Sequence, residues 1–169
     1  MRYSMLAAAL VLLGTSGHAL AMERSRVQIQ PAHSGKCLDV TAASQSPGAQ
    51  IIQFPCVKGN ANQRWTIHKV GTSPLGDIHT IKPVHVSGMC MDVSGGSSDD
   101  GAGIIQFPCL GQANQHFIIS SDKNGFRIKP SHKPEKCLDV EGASPFENAR
   151  LIQFACIPGN RNQQFNFVK

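Results

Sequence analysis

Lys36-Cys37-Leu38-Asp39-Val40, followed by Ile51-Ile52-Gln53-Phe54-Pro55-Cys56, is a pair of blocks that the chain writes three times. It returns as Met89-Cys90-Met91-Asp92-Val93 with Ile104-Ile105-Gln106-Phe107-Pro108-Cys109, and as Lys136-Cys137-Leu138-Asp139-Val140 with Leu151-Ile152-Gln153-Phe154-Ala155-Cys156. Each copy closes on Asn62-Gln63-Arg64-Trp65, Asn114-Gln115-His116-Phe117 or Asn162-Gln163-Gln164-Phe165. Self-similarity at this period identifies three homologous units, so a site built in one unit is expected in all three.

Within a unit the apolar segments are short and β-branched or aromatic, and turn residues such as Ser44-Gln45-Ser46-Pro47-Gly48 interrupt them every few positions. No stretch holds a helical period over three turns. The runs read as strands, in the first unit about Val27 to Gln30, Leu38 to Thr41, Ile51 to Phe54 and Arg64 to His68. Four strands in each of three units make an all-β fold. One unit cannot bury its own apolar face, so the three must pack around a shared core in a closed threefold structure. The repeats run over about residues 27–70, 78–121 and 126–169, with the surplus Val70 to Asp77 placed between units as a loop.

All six cysteines fall in the repeats, and in each the two are 19 positions apart: Cys37 and Cys56, Cys90 and Cys109, Cys137 and Cys156. Six cysteines alone allow 15 pairings. Only pairing within each unit gives all three the same geometry, which predicts three equivalent disulfides. Thiolate metal binding is the weaker alternative, because CxxC spacing is absent. Disulfides persist in oxidising compartments, and the N-terminus agrees. Arg2 precedes an apolar run from Met5 to Leu13, and Ala19-Leu20-Ala21 has the small-x-small pattern of a cleavage site. Residues 1–21 therefore read as a secretory signal peptide, leaving a secreted single domain over 22–169. Nothing approaches the roughly 20 apolar residues of a membrane helix, so no membrane insertion is expected. Removing Arg2 lowers the formal balance from 16 basic against 11 acidic groups to 15 against 11, about +4. The cations are scattered singly, which argues against nucleic acid as a partner.

Cys-Leu-Asp-Val, an aromatic two positions before the second Cys, and Asn-Gln-x-Trp/Phe, three times over, resemble the ricin B-type (Q-x-W) lectin domain across residues 27 to 169. The resemblance implies a β-trefoil with up to three shallow sugar sites, glycans or glycoconjugates as partners, and no cofactor. It also implies a carbohydrate-binding role for Asp39, Phe54 and Asn62, for Asp92, Phe107 and Asn114, and for Asp139, Phe154 and Asn162. The residue chemistry agrees: a carboxylate accepts two neighbouring hydroxyls, a carboxamide donates and accepts, and an aromatic face covers a sugar's C–H edge. One departure stands out. The family's sugar-contacting Gln is replaced by Ile52, Ile105 and Ile152, and Gln53, Gln106 and Gln153 follow one place later, where strand alternation turns them away from the Phe.

Blander readings compete at several positions. Phe54, Phe107 and Phe154 fit a core as well as a stacking platform, and the three Asp residues fit backbone acceptors. Gln63, Gln115 and Gln163 read as structural, and Trp65, Phe117 and Phe165 as core. His33, His85 and His132, in the repeated Ile-x-Pro-x-His, are a metal trio only if they converge. Ser97-Ser98-Asp99-Asp100-Gly101 lacks a calcium loop's alternating ligands and reads as a turn. No nucleophile–base set or phosphate loop recurs, and single Asp residues per unit do not form an acid/base pair. The expected function is a non-catalytic lectin module, alone or as the targeting partner of a toxin or hydrolase. The alternative is a protein-binding trefoil, such as a secreted protease inhibitor, acting through Val70 to Asp77.

Overall fold

The structure, a computed structural model, describes residues 24–169, apart from the side chain of Asp122; the expected signal segment lies outside the described residues. Among the described residues there are twelve strands. In the first repeat they are β1 (Arg24–Pro31), β2 (Cys37–Val40), β3 (Ile51–Phe54) and β4 (Trp65–Ser73). The second repeat contributes β5 (Gly76–Pro83), β6 (Met89–Val93), β7 (Ile104–Pro108) and β8 (Phe117–Asp122). The third contributes β9 (Gly125–Pro130), β10 (Lys136–Val140), β11 (Leu151–Ala155) and β12 (Phe165–Val168). The outer strands of each repeat close a six-stranded barrel in the order β1-β12-β9-β8-β5-β4, and the inner pairs β2-β3, β6-β7 and β10-β11 form three hairpins. This is a β-trefoil, all-β among the described residues but for one-turn 3-10 segments.

Period-two alternation decides which side chains meet. Leu38 and Val40, with Met91 and Val93 and with Leu138 and Val140, join Trp65, Phe117 and Phe165 in one fully buried core drawn from all three repeats. Trp65 also donates its Nε1–H to the Leu38 carbonyl at 3.1 Å, so its one polar atom is satisfied where it is buried. The three disulfides pair as the repeat requires, Cys37–Cys56, Cys90–Cys109 and Cys137–Cys156. By loop closure each is worth about 3 kcal/mol.

Val70 to Asp77 is not a loop. β4 and β5 pair through Thr72↔Asp77 and Ser73↔Gly76, with a register shift between Lys69 and Gly71, so the surplus residues lengthen a hairpin and leave only Pro74 and Leu75 at its tip. Its Gly, Ser and Pro content signals turns, but cross-strand pairing and the Lys69–Asp77 ion pair at 2.8 Å extend the strands.

The pseudo-threefold axis is occupied by one side chain. Gln50 Nε2 lies 2.8 Å from the Ile51 carbonyl, 2.9 Å from that of Ile104 and 2.9 Å from that of Leu151, one from each repeat. Gly103 and Arg150 hold the equivalent positions. A Cβ on Gly103 would sit 2.8 Å from Gln50 Oε1, so the second repeat makes room for the first.

Candidate functional site

The register of each inner hairpin places Asp, Ile and Phe on one face: Asp39 stands opposite Ile52 and Cys37 opposite Phe54. The same pairs recur as Asp92↔Ile105 with Cys90↔Phe107 and Asp139↔Ile152 with Cys137↔Phe154. A one-turn segment before β4, β8 and β12 brings in the Asn-Gln pair. The nine residues singled out in the sequence therefore assemble as three sets of three, each lining an open hollow. The volumes are about 440 Å³ around Asp39, Phe54 and Asn62, 550 Å³ around Asp92, Phe107 and Asn114, and 430 Å³ around Asp139, Phe154 and Asn162. The Phe rings are half-exposed, up to 37% for Phe107, and stand outside the core cluster. Ile52, Ile105 and Ile152 form apolar floors where the family's Gln would be.

Each carboxylate is buried yet held by a designated donor. Gln63, Gln115 and Gln163 give Nε2–H to Asp39, Asp92 and Asp139 Oδ2, at 2.8 Å in all three cases. The same Gln side chains accept the N–H of Val57, Leu110 and Ile157 at 2.8 Å, so they fix both the carboxylate and the loop after the second Cys. The other carboxylate oxygen lies beside the Asn carboxamide, which donates to it at 3.0 Å in the second repeat. With two lone pairs per oxygen, that atom retains capacity for a hydroxyl. Burial pushes all three carboxyls above the ordinary Asp value, and the Gln and Asn donors pull part of the way back. A nearby His adds a smaller electrostatic lowering to each carboxyl: His85 for Asp39, His132 for Asp92 and His33 for Asp139.

Those histidines do not converge. Their Nε2–H groups donate to three separate carbonyls: His33 to Ser144 at 2.9 Å, His85 to Ser44 at 2.8 Å and His132 to Ser97 at 3.1 Å. Among the described residues no three His, Cys, Asp or Glu side chains gather as a metal site. The same serine carbonyls receive a second donor. Gln53 Nε2 reaches Ser144 O at 2.7 Å, Gln106 Nε2 reaches Ser44 O at 2.7 Å, and Gln153 Nε2 reaches Ser97 O at 2.8 Å. Each Gln does turn away from its Phe, and it clamps the turn of another repeat. The clamps run in a cycle, so each hollow acquires a rim residue from its neighbour: Asn148 for the first, Gly48 for the second, Asp100 and Gly101 for the third.

The chain matches the model of the ricin-type β-trefoil lectin domain over residues 25–165. It belongs to that family. Among solved structures, this lectin domain is similar to the designed threefold symmetric protein ThreeFoil, at 35% identity over 85% of this chain and 97% of that one, with a TM-score of 0.77. It is also similar to 1,3Gal43A, an exo-β-1,3-galactanase from Clostridium thermocellum, at 30% identity over 88% of this chain, with a TM-score of 0.77. The ricin-type domain spans only 31% of that enzyme. The C-half of the earthworm R-type lectin, solved in complex with GalNAc, shares the fold at 20% identity, covering 86% of this chain and 98% of that one, with a TM-score of 0.63. Curated protein sequences give no match.

Two features of this ricin-type domain escaped the sequence. Asn60, Gln112 and Asn160, two places before the motif Asn, line the three hollows. The rim residues come from another repeat. Asn148 was nevertheless visible as an exception, since Gly48 and Gly101 stand five residues before Gln53 and Gln106, and Asn148 alone breaks the pattern before Gln153.

Proposed function

We propose that this is an exported, non-catalytic lectin that binds glycans through three shallow pockets, each centred on Asp39, Asp92 or Asp139. The observation that supports it is the threefold recurrence of one combination: a carboxylate with one oxygen held by Gln, a carboxamide beside the other, and a half-exposed Phe across an apolar floor. The carboxylate accepts vicinal hydroxyls, and the Phe covers the sugar's C–H face. A few net hydrogen bonds of about 1 kcal/mol each, plus stacking, give about 4–5 kcal/mol per pocket, or millimolar to high-micromolar affinity. Three such pockets on one rigid body gain orders of magnitude on a dense glycan. The disulfides and the N-terminal segment support export. A trefoil that makes up part of a galactanase supports a second role, as the targeting partner of a toxin or hydrolase.

A glycan array tests this with the mature chain and with Asp39→Asn, Asp92→Asn and Asp139→Asn, singly and together. Binding should weaken stepwise and vanish in the folded triple variant. A folded, disulfide-intact protein that retains no glycan refutes the reading. The N-terminal residue of the exported protein, read by mass spectrometry, should be Met22.

A further inference from the structure

The three hollows share their centres but not their rims. In the second, the residue arriving from the neighbouring repeat is Gly48, which offers no side chain. In the third it is Gly101 with Asp100, whose Oδ1 takes both Lys136 Nζ at 2.7 Å and the Ala155 N–H at 2.8 Å. In the first it is Asn148, whose carboxamide has no hydrogen-bond partner among the described residues although it lines the hollow.

Asn148 is also held still. Its own N–H donates to the Gln53 carbonyl at 2.9 Å, and the Gln53 N–H donates to the Ala149 carbonyl at 2.9 Å. The Gln53 side chain anchors the start of the same turn on the Ser144 and Phe146 carbonyls. The backbone at Asn148 is left-handed, with φ of 65°, as at Gly48 and Gly101 with φ of 83° and 84°. Glycine suits that conformation without strain, and Asn is the side-chain-bearing residue that tolerates it best. A fixed backbone therefore presents an uncommitted carboxamide in the Asp39 hollow, at the position where the other two repeats carry glycine.

We propose that Asn148, supplied by the third repeat, is a specificity-determining residue of the Asp39 pocket, which takes sugars carrying one more hydroxyl or acetamido group on the edge facing Asn148 than the other pockets read. The proposal rests on the lectin reading above, and it makes the pockets unequal in affinity and selectivity. The backbone pays no ordering cost at the moment of binding, because the turn is clamped before the sugar arrives.

The test isolates the pocket in an Asp92→Ala/Asp139→Ala protein and titrates it by NMR with galactose, N-acetylgalactosamine, glucose and N-acetylglucosamine. At least one should bind at a single site, and adding Asn148→Gly should weaken that sugar about fivefold, the worth of one net hydrogen bond, without lowering the melting temperature. A Cβ at Gly48 meets nothing within 4 Å, so the reciprocal graft is open. Gly48→Asn in an Asp39→Ala/Asp139→Ala protein should tighten the same sugar by a similar factor. Unchanged affinity on Asn148→Gly overturns the inference. A wild-type protein that binds sugar while the isolated Asp39 pocket binds none overturns it too, and leaves the lectin reading standing. A wild-type protein that binds no sugar at all removes both.

Discussion

Replacing Gln53 with Ala should destabilise the fold more than the same change at Gln106 or Gln153, and the order follows from counting what each side chain holds. Gln53 is fully buried; it donates to the Ser144 and Phe146 carbonyls and accepts the Ser34 hydroxyl at 2.8 Å. Gln106 and Gln153 also donate twice, at 2.7 and 2.9 Å and at 2.8 and 2.9 Å, but their Oε1 atoms have no such partner among the described residues. At about 1 kcal/mol net per hydrogen bond, the losses are about 3 kcal/mol for Gln53→Ala against about 2 for the others. Ser144 keeps the His33 donor, so the carbonyl left stranded is that of Phe146. In a domain of this size, 3 kcal/mol corresponds to a fall in melting temperature of roughly 6–12 °C, with 4–8 °C for Gln106→Ala or Gln153→Ala. Circular dichroism melts under non-reducing conditions measure it. Equal losses at all three positions, or a change below about 1 kcal/mol at Gln53, would refute the assignment of Gln53 as the tightest clamp between repeats.

Asp39→Asn, Asp92→Asn and Asp139→Asn should each weaken sugar binding at their pocket roughly tenfold or more, the loss of a charge-assisted bond. The folded carboxyls are raised by burial, so their favourable contribution is full below the unfolded value of 3.8 and is lost as pH rises through the folded value. The wild-type protein should therefore gain stability relative to these variants as pH falls towards 4, and its sugar binding should fade over the same range above the ordinary carboxylate value, which parallel melts and titrations would show. Phe54→Ala should weaken its pocket about fivefold by removing one stacking partner, whereas Trp65→Ala should cost about 3–5 kcal/mol of stability, because the Trp is core and the Phe is not; chemical denaturation and titration of both variants separate the roles. Gly103→Ala should cost about 1–3 kcal/mol by pushing Gln50 off the three carbonyls it holds, measured as a drop in denaturation midpoint at unchanged slope.

The fold was legible because the chain states it three times. Short apolar runs with matching cysteines are ambiguous once, but repetition fixes their register, and the strand alternation of Ile52, Gln53 and Phe54 correctly turned the Gln away from the Phe. The clamp itself was not legible, since Gln53 meets carbonyls at Ser144 and Phe146, 91 and 93 positions away in sequence. The same distance hid the rim residues, because a pocket shared between repeats has no local signature. Val70 to Asp77 was misread for the opposite reason. Its glycines, serine and proline carry a strong local turn signal, and pairing with the next strand overrode it.

Gln50 gives the three repeats an order. An axis has room for one occupant, so three identical units would send three carboxamides to a single point, and two of them must be displaced or shortened. Gly103 and Arg150 are how this chain settles the contest, and the settlement means that the repeats are not interchangeable parts. Exchanging the second repeat for a copy of the first should jam the centre of the molecule even though every pocket, clamp and disulfide would be retained.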